Sequence, residues 1–157
     1  MKKKILVTRK LLIENEEKLK ELFDVKLNSK DELYTSDKII ELSKDCDGIL
    51  SAITDQFNKD LIEKLSTTVK IIANFAVGFG NIDVNTAAKK NIVVTNTPEV
   101  LDDSTADISI LLLLGASRKV LEARRAAELQ NWKWSADFML GKQMSNKRLG
   151  ILGMGRI

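Results

Sequence analysis

Five short aliphatic runs at nearly even spacing constrain this chain more than any other feature. They are Ile5-Leu6-Val7, Val25-Lys26-Leu27, Gly48-Ile49-Leu50, Ile71-Ile72-Ala73 and Ile92-Val93-Val94. Between them, apolar residues recur at helical intervals. Leu12, Leu19 and Leu22, with Glu16, share one face of a first helix, and Ile39, Ile40 and Leu42 mark a second. Leu61, Ile62 and Leu65 mark a third with Asn58 as its N-cap; Val84, Ala87 and Ala88 mark a fourth with Asp83 near its start. Consecutive strands separated by a helix cannot pair as hairpins. They pair in parallel, and the intervening helices cover both faces of the sheet. The expected fold class is therefore α/β, a flavodoxin-like parallel five-stranded domain. The order 2-1-3-4-5 is inferred from the strand count.

The texture changes after Thr97-Pro98, the chain's one proline. Asp102, Asp103 and Ser104 offer N-cap oxygens and favourable charge to a helix start. One long helix is expected from about Thr105 to about Leu129, apolar from Ile108 to Leu114 and charged from Arg118 onward. A helix apolar all round must be buried on several sides, so it reads as a connector lodged between two domains or two subunits. The segment after it, from Asn131 to Gly141, holds both tryptophans, Trp132 and Trp134. Such an arm either presents a partner surface or folds back onto its own helix. The expected organisation is a substrate domain over 1–99, a connector over 100–130, and over 131–157 an arm with the start of a second domain.

Composition narrows the partners. The chain is 44% hydrophobic, enough for a real core, and its 30% charged residues are spread along it, which argues against disorder. The net charge is +3, and the lysines cluster only at Lys2-Lys3-Lys4, so nucleic acid is not an expected partner. Cys46 is the lone cysteine; it reads as a small core residue in a reducing cytoplasm, and no metal site is expected. The apolar stretch behind the initial lysines is too short for a signal peptide. The longest apolar run, Ile108 to Ala116, is about half a membrane span, so no membrane association is expected. There is no histidine at all, so a histidine acid–base cannot come from these residues.

The last residues are Leu149-Gly150-Ile151-Leu152-Gly153-Met154-Gly155-Arg156-Ile157. Leu149 to Leu152 reads as a buried strand, and Gly153-x-Gly155 follows where a dinucleotide-binding fold makes its tight turn. The first glycine permits the turn and the second lets the backbone approach a pyrophosphate. Alone, the pair reads equally well as turn glycines.

Four segments in order carry more weight: Asn74-Phe75-Ala76-Val77-Gly78-Phe79-Gly80-Asn81-Ile82-Asp83-Val84, Val94-Thr95-Asn96-Thr97-Pro98, Ser104-Thr105-Ala106-Asp107 and Leu149 to Ile157. Together they resemble the D-isomer-specific 2-hydroxy-acid dehydrogenases, most of all glyoxylate/hydroxypyruvate reductases and phosphoglycerate dehydrogenases. The resemblance runs from about Asp47 to Ile157. It implies an oxidoreductase transferring a hydride between NAD or NADP and a small 2-oxo or 2-hydroxy acid. It implies that the backbone N–H groups of Ala76-Val77-Gly78 face the substrate carboxylate, with Ser51, Ala52 and Ile53 on the cleft wall. It places Thr105, Gly153, Gly155, Arg156 and Ile157 at the cofactor. The family's catalytic histidine, its paired carboxylate and its arginine match no residue here, and none of Arg9, Arg118, Arg124, Arg125 or Arg148 takes their place. No catalytic residue is therefore expected in this chain, which reads as the N-terminal part of such an enzyme, inactive by itself and dimeric through the connector helix and the Trp132/Trp134 arm. The alternative is a non-catalytic binding or regulatory module of the same fold. Two positions depart from the family: Glu99, where glycine is usual, and Gly80, where aspartate or asparagine is common.

Overall fold

In the computed structural model each aliphatic run becomes a strand and each helical pattern a helix. It describes residues 1–130 and 132–157; Asn131, where the arm is expected to begin, lies outside them. The elements are β1 (Lys4–Val7), α1 (Ile13–Leu22), β2 (Asp24–Lys26), α2 (Ser36–Ser43), β3 (Gly48–Ala52), α3 (Lys59–Lys64), β4 (Ile71–Phe75), α4 (Val84–Lys89), β5 (Val93–Thr95), α5 (Asp102–Ser117) and α6 (Val120–Leu129). The chain divides into two compact units, Met1–Val100 and Leu101–Ile157.

The first unit holds the five-stranded sheet, in the order β2-β1-β3-β4-β5 with every pair parallel. This is the flavodoxin-like order expected from the strand count. Leu6, Ile49, Ile72 and Val94 stand in one row across four strands. That row faces the core, where Ile39, Phe57, Leu61, Ile62, Val69 and Ala87 close around it. Gly48 pairs with Ile5 on one side and Ile71 on the other. A Cβ there would lie 2.8 Å from Ile71 Cγ2, so only glycine lets these strands pack at this spacing. Three helices start with capping side chains. Thr35, Asn58 and Asp83 accept the N–H groups of Lys38, Leu61 and Thr86. Each cap satisfies a donor that the first helical turn leaves unpaired.

Cover is unequal on the two faces, contrary to the expectation that both are closed. α1 contributes no buried residue, and Ile71, Phe75 and Val93 are exposed. α1 and the sheet bound a groove of about 290 Å³ lined by Leu11, Leu19, Leu22, Leu50 and Phe75. The period of α1 makes its apolar stripe, but one short helix cannot span five strands.

The second unit departs from expectation in three ways. The single long helix is two, α5 and α6, broken at Arg118-Lys119, where Lys119 has φ 55°. A left-handed non-glycine residue cannot continue a helix. The N-cap position is Leu101, without a side-chain cap, so Asp102, Asp103 and Ser104 lie in the first turn, and the Ser104 hydroxyl donates back to the Leu101 carbonyl at 3.0 Å. Leu149 to Leu152 forms no strand and is exposed. A strand needs a neighbour to take its N–H and C=O groups, and none pairs with it here. Nor is α5 buried on several sides; Ile108, Ile110, Leu111 and Leu112 are all more than half exposed. The arm folds back within the unit: the Lys142 N–H donates to the Ser117 carbonyl at 2.7 Å, and Trp132 stacks on Phe138 at 5.6 Å. Trp134 remains 81% exposed. Among the described residues no helix is long and apolar enough to cross a membrane.

Candidate functional site

In an all-parallel sheet the carboxyl ends of the strands share one edge, and the loops that leave them converge there. At this edge β1 runs into Thr8 and Arg9, β3 into Ile53 and Thr54, β4 into Ala76–Gly80, and β5 into Asn96 and Thr97.

The loop after β4 is fastened by its carbonyls. The Thr97 N–H donates to the Ala76 carbonyl at 2.9 Å, Asn96 Nδ2 to the Val77 carbonyl at 2.7 Å, and Asn74 Nδ2 to the Gly78 carbonyl at 3.0 Å. The Ala76 N–H is itself used, donating to Asn74 O at 2.8 Å. Among the described residues no protein acceptor takes the N–H of Val77, Gly78 or Phe79. Gly78 does not have a left-handed φ, and nothing lies within 4 Å of the Cβ it lacks. The backbone at this point is therefore open to any residue, and what glycine leaves is empty space.

Beneath the loop lies a buried polar network. Asn74 is 2% exposed, and its Oδ1 accepts from the Ser51 hydroxyl at 3.1 Å, which orients the carboxamide with Nδ2 toward Gly78. Asn81 Oδ1 accepts from Asn74 Nδ2 at 3.1 Å, while Asn81 Nδ2 donates to the Asp55 and Ala52 carbonyls at 2.9 and 3.2 Å. Asp55 is buried; its Oδ2 accepts from the Thr8 hydroxyl at 2.5 Å and the Ala52 N–H at 2.8 Å. A buried polar group stripped of its partner costs about 1–3 kcal/mol, so this network holds the β3 and β4 loops in one arrangement.

The expected cleft-wall residues separate. Ser51 and Ala52 lie inside β3, and Ser51 is fully buried, so it supports the wall from behind; Ile53, 53% exposed, is the one that reaches the surface. Period-2 alternation turned Ser51 to the core side, which a reading of the segment as a loop could not anticipate. On the far side of the β3 loop, Arg9 donates to both oxygens of Asp31 at 2.8 and 3.0 Å and to Thr54 Oγ1 at 2.7 Å. The guanidinium, with the Lys10 N–H, holds the Asp31 carboxyl well below the usual carboxylate range. Burial pushes the Cys46 thiol up, away from the reactive thiolate, in keeping with a core role.

In the second unit Thr105 sits in the first turn of α5, half-buried, with its N–H on the Leu101 carbonyl. Gly153 has φ +83°, a left-handed conformation that glycine adopts freely, and neither Gly153 nor Gly155 has anything within 4 Å of its absent Cβ. Arg156 and Ile157 are exposed. Glu99 has φ 69°, which explains why glycine suits this position. Gly80 is not left-handed and is open, so an aspartate or asparagine side chain fits there. Sequence reading gave no role to Asn74, Asn81 or Asn96. The available signal was an asparagine inside an otherwise apolar central strand, Ile71 to Phe75.

The profile for the catalytic domain of D-isomer specific 2-hydroxyacid dehydrogenases matches residues 5–146. A glyoxylate reductase of Korarchaeum cryptofilum is 43% identical over 160 residues, covering all of this chain and 48% of that protein. A solved Polaromonas structure described as a D-isomer specific 2-hydroxyacid dehydrogenase superposes with a TM-score of 0.89 at 32% identity, over 99% of this chain and 49% of that one. The NADPH-dependent glyoxylate/hydroxypyruvate reductase of Sinorhizobium meliloti, solved with NADP and malonate, superposes at 0.81 with 30% identity, over 99% of this chain and 47% of that one. The chain spans about half the length of the curated relatives it matches. With the profile covering nearly all of it and the expected parallel sheet in place, the chain belongs to the D-isomer specific 2-hydroxyacid dehydrogenase family.

Proposed function

We propose that this chain supplies the substrate-carboxylate half of an NAD(P)-dependent oxidoreductase that interconverts a small 2-oxo acid, glyoxylate or hydroxypyruvate, with its 2-hydroxy acid. One observation carries the reading. At the carboxyl edge of a parallel sheet, the N–H groups of Val77, Gly78 and Phe79 have no protein acceptor among the described residues, beside a glycine whose missing side chain leaves open space. Adjacent N–H donors with room in front of them suit a carboxylate. The Val77 and Gly78 N–H groups bind it, Ala76 anchors the start of the loop with its own N–H on the Asn74 carbonyl, Ile53 bounds the cleft, and Ser51 and Ala52 hold that wall from behind. The open backbone at Gly153 and Gly155 fits a pyrophosphate; with Thr105, Arg156 and Ile157 these residues would hold a nicotinamide dinucleotide. When bound, that cofactor supplies or accepts the hydride. Residues 1–99 serve as substrate domain, 100–130 as connector, and 131–157 as arm and start of the cofactor domain. Two copies associate through α5, α6 and the Trp132/Trp134 arm, because Leu111, Leu112, Leu114, Val120 and Leu121 line an apolar groove of about 670 Å³. The lone, buried cysteine suits a cytoplasmic setting.

Titration of the isotope-labelled protein with glyoxylate or malonate, read by NMR, tests the carboxylate site. The Val77 and Gly78 amide signals shift, and Gly78→Ala weakens binding roughly tenfold while changing stability by less than about 0.5 kcal/mol, since its methyl meets only solvent in the free protein. Unmoved amides at saturating anion would sink the reading. These 157 residues by themselves turn over no glyoxylate, because no histidine is present to move the hydroxyl proton. Measured turnover overturns that statement. Binding without turnover in the longest natural product of the gene would favour the alternative, a non-catalytic module.

A further inference from the structure

A peptide unit is planar and trans, so the carbonyl of one residue and the N–H of the next point in opposite directions. Fixing a carbonyl therefore aims the following N–H. Three successive peptide planes in the loop after β4 are fixed this way. The Thr97 N–H holds the Ala76 carbonyl and so aims the Val77 N–H. Asn96 Nδ2 holds the Val77 carbonyl and aims the Gly78 N–H. Asn74 Nδ2 holds the Gly78 carbonyl and aims the Phe79 N–H. The three donors come from two strands and their ends, Asn74 from within β4 and Asn96 and Thr97 from beyond β5. Asn74 is in turn locked by Ser51 and Asn81, and Asn81 holds the β3 loop through the Ala52 and Asp55 carbonyls.

We infer that Asn96 and Asn74 are positioning residues that form, with the Thr97 backbone, a three-point carbonyl clamp presenting the Val77, Gly78 and Phe79 N–H groups as one preorganised donor set. Neither side chain touches the anion. Each acts by denying its peptide plane the flipped orientation, in which a carbonyl oxygen would face the ligand. The inference rests on the reading of this loop as the carboxylate site. It adds which residues make the site work, and the reason this part of the loop can hold one shape: the carbonyls of Ala76, Val77 and Gly78 each have a donor from β4 or from just beyond β5.

The test is Asn96→Asp, near-isosteric but without the Nδ2 donor, beside Asn96→Ala, which removes the donor without adding a charge. Two readouts are taken on the protein. Residual dipolar couplings report the direction of the Gly78 N–H without any ligand, and malonate titration reports the binding constant. Expected are a thermal midpoint close to wild type, a reoriented Gly78 N–H in the aspartate variant, and malonate binding weaker by roughly tenfold or more, the cost of one hydrogen bond to a charged group. Asn74→Asp, buried in the network, reorients the Phe79 N–H if it folds; the Asn96 variants decide the matter if it does not. A Gly78 N–H direction unchanged in both Asn96 variants overturns the clamp. If wild type binds no malonate while the Asn96 variants still reorient Gly78, the carboxylate reading fails and the clamp stands as a structural device.

Discussion

The two units make opposite use of similar hydrophobic residues. In Met1–Val100 the apolar residues recur with the period of each element, so α2, α3, α4 and the strands β1, β3, β4 and β5 offer one side to a shared core that holds Leu6, Ile49, Phe57, Ile62 and Ile72. In Leu101–Ile157 no described residue is buried, although α5 contains the richest apolar run in the chain. A stripe can be satisfied by one neighbour, whereas a helix apolar all round needs partners on several sides. Hydropathy sets how much surface seeks cover; the periodicity and the available neighbours decide whether the unit can cover it alone.

The sharpest way to break this contrast is to truncate a side chain in each unit. Ile72→Ala, in a fully buried position of β4, lowers unfolding stability by about 2–5 kcal/mol in urea titration, whereas Leu112→Ala in α5 changes it by less than about 0.5 kcal/mol. Equal losses would mean that α5 is packed as tightly as the sheet. Next in size is association. Replacing Leu111 and Leu112 together by glutamine weakens self-association by about tenfold or more in sedimentation velocity and leaves the thermal midpoint in place, since the two side chains are exposed within one chain. A midpoint that falls instead would assign them to the fold of the unit.

Smaller is Glu99→Gly, which removes a left-handed non-glycine residue. It changes stability by less than about 1 kcal/mol in urea titration, the relief at φ 69° being offset by the freedom glycine gains when unfolded and by the loss of the interaction the Glu99 side chain makes. The smallest effect is the acid response of the first unit. Arg9 lowers the carboxyl of Asp31 in the folded state, and Lys3 lowers that of Asp47. A depressed folded pKa stabilises above the ordinary carboxylate value, and the contribution disappears as pH falls from there toward the folded value. Asp31→Asn therefore lowers stability slightly at neutral and alkaline pH and converges on wild type as pH falls through the carboxylate range; a variant matching wild type at every pH would show the pair to be without weight.

The elements of the first unit were legible because their signals are local. Strand runs, the helical stripes of α2 to α4, and the caps Asn58 and Asp83 each lie within a few residues of what they control. The loop after β4, proposed to bind the carboxylate, was singled out only through resemblance, and the side chains that fasten it were not legible at all. Asn96 and Val77 stand 19 residues apart, and Asn81 and Asp55 stand 26 apart; only the register of β3, β4 and β5 brings them together.

By itself, then, the sequence determined an all-parallel five-stranded domain and the starts of α3 and α4, because periodicity and capping act over one or two turns of chain. Tertiary structure alone decided which carbonyls are held and which N–H groups are left to bind, where α5 ends and α6 begins, and which face of the sheet stays open. Those outcomes depend on donors and neighbours from distant segments, and their positions exist only once the strands have paired.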